Sequence, residues 1–193
     1  MDELGMYQVA MIAHIIGTVA FFAGLLVTTA AMIGMRGATT VEKLRGWVTL
    51  ASRSDLVIPF GAALILLSGL YLILTAWGWS TPWVNICLVT FLAITPLVPL
   101  GLSRRLGSVK ASLGKAGATA GSGPVPAALR AATRDPLMWT STVVLNATSF
   151  GILYLMLTKP DIWGSLFVVA IAVLLSAVVS LPMWRSSSVS QRA

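Results

Sequence analysis

Four stretches of the chain, 4–35, 56–103, 136–158 and 162–184, are dominated by apolar residues and contain no Asp, Glu, Lys or Arg. A helix needs roughly 20 apolar residues to cross a hydrocarbon core of about 30 Å. Three of the stretches therefore predict one span each, while the second is long enough for two. Its break falls in Trp77-Gly78-Trp79-Ser80-Thr81-Pro82-Trp83, where Gly78 and Ser80 loosen a helix and Pro82 suits the first turn of the next. A second tight turn is expected at Lys159-Pro160-Asp161, because Pro160 disfavours a helical Lys159 and offers no backbone donor. The pattern predicts an all-α polytopic membrane bundle in a single transmembrane domain, with helices near 7–34, 55–77, 82–102, 137–157 and 162–182.

The charged residues orient these spans. Arg36, Lys43, Arg45 and Arg53 follow the first helix, Arg104, Arg105, Lys110, Lys115, Arg130 and Arg134 follow the third, and Arg185 and Arg192 lie in the tail. The opposite side holds only Lys159. The positive-inside rule then sets the N-terminus outside and the C-terminus in the cytoplasm, as expected for a multi-pass protein of a bacterial cytoplasmic membrane. Trp77, Trp79, Trp83 and Trp163 fall at the expected outer interface and Trp139 and Trp184 at the inner one, where aromatic belts form. Residues 103–136 are expected to be a flexible cytoplasmic linker, on the strength of the Gly-, Ala- and Ser-rich part at 114–126. Within it, 126–134 has room for a short interfacial helix with a mostly alanine apolar face. The chain opens with Asp2 and Glu3 rather than a basic segment, so the first apolar run is expected to remain as a helix rather than be cleaved as a signal peptide.

Composition narrows the function classes. Of 193 residues, 57% are hydrophobic and 10% charged, against roughly 25% charged in an average soluble domain. A water-soluble fold is excluded. The net charge of +7 arises from residues that flank apolar spans rather than interleave with aromatics, so anionic lipids on the cytoplasmic side, not nucleic acid, are the expected partner. Cys87 is the only cysteine and lies within an apolar run, which leaves neither a disulfide nor a thiolate metal cluster within one chain.

Few residues can carry chemistry. His14 is the only histidine and the only readily titratable side chain well inside a predicted span. Tyr7, Met11, His14 and Thr18 share one helical face and could line one wall of an internal pocket. His14 then reads as an axial haem ligand or proton relay, with Met11 as its nearest companion, or as a neutral histidine hydrogen-bonded to a neighbouring helix. Asp55 starts the second helix, where its charge suits the helix dipole and Arg36 or Arg53 could pair with it; the alternative is an acid that takes up protons or cations. Thr142, Asn146 and Ser149 make a polar stripe on the fourth helix and Asn85 lies on the third, a pattern expected to join helices by hydrogen bonds. Gly61, Ser68 and Thr75 on the second helix, with Gly17 and Gly24 on the first, predict that these two helices approach closely. Pro96 and Pro99 predict a kink near the inner end of the third.

The residues His14-x-x-Gly17 followed by Gly24, then Ser54-Asp55-Leu56 with Pro59, then Ser68-Gly69-Leu70, and finally Lys159-Pro160 resemble the uncharacterised bacterial integral membrane family DUF2269 over about 7–160. That resemblance implies a four-helix core with the fifth helix appended and brings no activity. A looser similarity, to haem-associated protoporphyrinogen oxidases and copper-resistance membrane proteins, extends to His14 alone, since a second histidine and a Met- or Cys-rich metal tract are missing. The expectation is therefore an accessory or interaction subunit of the membrane, with a membrane-protein partner or a second copy of itself and no assigned catalytic role. The alternatives are a haem-binding redox protein that uses His14 and a small transporter or proton-coupled carrier.

Overall fold

A computed structural model describes residues 3–120 and 123–190, with the side chains of 3, 4, 55, 116–120 and 185–190 outside the description. The chain is 89% helical, and five of its helices are long and apolar enough to cross a membrane. In chain order these elements are α1 (Glu3–Gly37), α2 (Val41–Leu72), α3 (Pro82–Ile94), α4 (Arg104–Ala120), α5 (Ala127–Ala132), α6 (Pro136–Thr158) and α7 (Ile162–Ser190). A π-helical turn, Ile73–Trp77, prolongs α2, and another, Val98–Ser103, links α3 to α4. Large apolar side chains face outward along the spans, among them Leu56, Leu67, Val89, Leu157 and Trp163. Surfaces this apolar are stable only in contact with lipid or another apolar phase, and the fold is that of a multi-pass membrane protein.

Helix ends follow from local chemistry. Thr40 caps α2 by accepting from the Lys43 N–H at 3.3 Å. Asp135 caps α6 by accepting from the Leu137 and Met138 N–H groups at 2.9 and 3.0 Å, and also pairs with Arg105 of α4. At the other end of α6, Lys159 adopts a left-handed conformation (φ 48°) and its N–H closes on the Leu155 carbonyl at 2.9 Å; Pro160 then prevents the helix from continuing. Asp161 accepts from the Gly164 N–H at 2.8 Å to open α7. Pro96 and Pro99 fall where the regular α-helix gives way to the π-helical link, because neither supplies the N–H the ladder needs.

Two packed units make the bundle. In the first, α1 and α2 approach so closely that a Cβ on Gly61 would sit 2.6 Å from the Phe21 nitrogen and one on Gly17 would sit 3.0 Å from the Ile65 nitrogen. This is the close approach that the small residues predict. The second unit groups α3, α6 and α7. Phe21, Phe22, Phe91 and Phe150 join the units, with ring centroids 5.0–6.1 Å apart.

The stretch 103–136, expected as a flexible linker, instead holds α4 and α5, and 41–54, expected as a loop, is the first half of α2. Leu102, Leu106, Val109 and Leu113 are buried against Val41, Leu44, Val48 and Ala51, together with Met32, Met35, Leu129 and Met138. On both strands of this seam apolar residues recur at alternating three- and four-residue steps, the spacing of two helices packed side by side. The connection after α4 is tied down by the Val41 N–H to Gly123 carbonyl and Val125 N–H to Thr39 carbonyl hydrogen bonds, at 3.0 and 3.2 Å.

Replacing Gly61 by Leu should destabilise the protein by about 1–3 kcal/mol through overpacking at the α1–α2 crossing. Gly107, whose Cβ would meet nothing within 4 Å, should accept Ala with no loss. Thermal unfolding in mild detergent distinguishes the two, and equal behaviour would refute the glycine contact.

Candidate functional site

His14 reaches across the α1–α2 crossing. Its Nδ1 lies 3.2 Å from the Ile65 carbonyl oxygen and 3.2 Å from Ser68 Oγ. A carbonyl only accepts, and the Ser68 hydroxyl already directs its hydrogen to the Leu64 carbonyl, so Nδ1 must be the protonated nitrogen. In the neutral ring, Nε2 then keeps its lone pair, and it has no partner among the described residues. Gly69 makes room for the imidazole: a Cβ there would stand 3.2 Å from His14 Cε1. The hydrogen-bonded and the pocket-lining readings of His14 thus meet in one side chain, each using a different nitrogen.

The ring borders a cavity of about 420 Å³ between α1, α3 and α6. Met11, His14 and Thr18 form part of its α1 wall, whereas Tyr7 of the same face is not among its lining residues. The opposite wall is α6, with Ile152, Met156 and Ser149. Phe21, Phe22 and Phe91 lie on the side toward the bundle centre, while Trp77, Trp83 and Lys159 border the cavity beside the α6–α7 turn. The Trp77 and Trp83 rings are 5.4 Å apart, and Lys159 Nζ lies 5.9 Å from the Trp83 ring centroid. A second cavity of about 50 Å³ shares His14 and part of this wall and reaches Cys87.

Ser149 is the polar group the sequence placed in a stripe without assigning to this cavity. It is 3% exposed, and its Oγ has no hydrogen-bond partner. The other members of the stripe have partners. Asn146 Nδ2 donates to Thr29 Oγ1 of α1 at 3.0 Å and to the Thr142 carbonyl at 2.8 Å, and Thr142 Oγ1 lies 3.0 Å from the Met138 carbonyl and 2.9 Å from Met32 Sδ. These contacts join α6 to α1. Asn85 donates to the Trp79 carbonyl at 2.7 Å and fastens the α2–α3 turn, away from the cavity. Asp55, expected to start the second helix, falls in the middle of α2 because that helix begins at Val41, so its charge does not meet the helix N-terminus; its side chain lies outside the described residues.

The cavity wall carries one imidazole and is otherwise largely apolar. Among its lining residues there is no carboxylate. Among the described residues there is no group of three His, Cys, Asp or Glu side chains able to hold a metal ion. Met11 lies one turn from His14 on the same helix, so its sulfur cannot stand opposite Nε2 across a metal plane. No family model, curated protein or solved structure matches the chain.

Substituting Asn146 by Leu should cost about 0.6–2 kcal/mol, the usual range for an inter-helix hydrogen bond in a membrane, and leave the cavity unaltered. The check is thermal unfolding beside the ligand retention described below: a loss of retention without a loss of stability would place Asn146 in the site instead of the packing.

Proposed function

We propose that this protein binds an apolar or amphipathic small molecule from the membrane, held in the bundle cavity by a hydroxyl-bearing head at His14. The observation that supports this reading is a histidine whose Nδ1 is held by α2, leaving Nε2 as an acceptor, in the wall of an otherwise largely apolar cavity. A ligand hydroxyl would donate to Nε2. The cavity volume of about 420 Å³ falls within the range of about 300–1,000 Å³ found for small-molecule sites. The outward apolar faces suit lipid and single out no protein partner, so the cavity carries the proposal in preference to an accessory docking role.

A haem reading draws on the same atom. An imidazole whose Nδ1–H is held by a backbone carbonyl presents Nε2 as ligating histidines do, and a tetrapyrrole would have His14 as its one ligand from the cavity wall. The protein acts in a bacterial cytoplasmic membrane with five spans, N-terminus outside and the basic end in the cytoplasm, an arrangement that the distribution of Lys and Arg supports.

The full-length protein, purified in mild detergent, is expected to carry a non-covalent small molecule visible by native mass spectrometry. Its retention should fall roughly five- to tenfold in His14→Ala, as for one lost hydrogen bond of about 1–1.4 kcal/mol. It should fall further in Ser149→Phe, which fills the cavity. Retention unchanged in both variants would overturn the site. A Soret band lost in His14→Ala would select haem as the ligand. A separate measurement addresses topology: a C-terminal green fluorescent protein fusion should fluoresce and a C-terminal alkaline phosphatase fusion should be inactive, and the reverse pattern would invert the orientation.

A further inference from the structure

At the other end of the bundle, a set of buried donors lacks acceptors. Arg36, in the last turn of α1, lays its guanidinium 4.4 Å from the Trp139 ring centroid of α6 and directs Nη1 to Met183 Sδ at 3.0 Å. Its Nε and Nη2 are buried without a hydrogen-bond partner, and so is Trp139 Nε1 beside them. Arg134 is close enough to add a second positive charge. The nearby carboxylate, Asp135, is committed to Arg105 and to the cap of α6.

Three buried N–H donors, a second cation and, among the described residues, no available acid are the complement of an acceptor-rich anion. We propose that Arg36 and Trp139 together bind the phosphate of an anionic phospholipid. A planar guanidinium presents two parallel N–H groups to a phosphate, and the indole N–H can donate to a third position on the same group. The level in the membrane selects a lipid as the source. Arg36 is the first charge after the apolar run of α1. Trp184, half exposed, hydrogen-bonds Thr140 Oγ1 at 3.0 Å beside Trp139. Tryptophans and the first flanking cations mark the headgroup level. A phospholipid there places its diester at Arg36 and its chains along the apolar outer faces of α6 and α7. This site is independent of the His14 cavity.

The test is thermal unfolding of the full-length protein, stripped of lipid in mild detergent, with dioleoyl phosphatidylglycerol, dioleoyl phosphatidylcholine or inorganic phosphate added separately. Phosphatidylglycerol should raise the midpoint by several degrees, and phosphatidylcholine by clearly less. The rise should vanish in Arg36→Gln and shrink in Trp139→Phe, which keeps the ring but removes the donor. Lys110→Gln, an exposed cation at the same end, should retain the full rise. If Arg36→Gln does not fold, Trp139→Phe and Arg36→Lys, which keeps the charge without the fork, carry the comparison. An undiminished rise in the Arg36 and Trp139 variants, or an equal loss in Lys110→Gln, overturns the local site. A rise of the same size from inorganic phosphate alone overturns the lipid as its occupant.

Discussion

Backbone contact between α1 and α2 at Gly17 and Gly61 sets the geometry of the end of the molecule that holds His14. Helices that meet through glycine lie closer than any pair separated by larger side chains. That distance lets the His14 ring cross to the second helix and find both a carbonyl and a hydroxyl within 3.2 Å. With an ordinary side chain at either glycine, the imidazole would be pushed off Ile65 and Ser68, and its choice of tautomer would be lost. The identity of the free nitrogen therefore depends on residues that carry no functional group.

The two ends of the bundle solve the polar-group problem differently. Near the α6–α7 turn, Lys159 is set in a left-handed turn, exposed, with its ammonium 5.9 Å from the Trp83 ring centroid. At the basic end, α2 and α4 continue past the apolar runs and bury a seam of Val, Leu and Ala while their Lys and Arg side chains point away. The Arg105–Asp135 pair then joins α4 to the start of α6. Charge and apolar burial coexist there because they occupy opposite faces of the same helices.

Much of the architecture was legible in the sequence. Charge-free length marked the helices long enough to span, Gly78 to Pro82 and Lys159-Pro160 marked the turns, and the small residues of the first two helices marked their close contact. The regions of high charge were misjudged because composition masked periodicity: Leu102, Leu106, Val109 and Leu113 recur at helical spacing among Arg104, Arg105 and Lys110. The site was half legible. A histidine alone in an apolar run is conspicuous, and its companions Met11 and Thr18 follow from helical phase. Ser68 was not assignable, since it belonged to a stripe of small residues that pointed to packing, and only the rotation of α2 against α1 brings its hydroxyl to His14. Arg36 and Trp139, far apart in the chain, gave no joint signal.

The seam between α2 and α4 also bears on the order in which the molecule is made. Its first strand, Val41 to Ala51, leaves the ribosome well before its second, Leu102 to Leu113, and the two are separated by both helices of a membrane-crossing hairpin. Until the chain returns to this end of the bundle, the apolar face of Val41 to Ala51 can pack only on Ala31, Met32 and Met35 of α1. A chain halted in this interval would keep part of that face uncovered, and α4 completes its burial once α3 has been made.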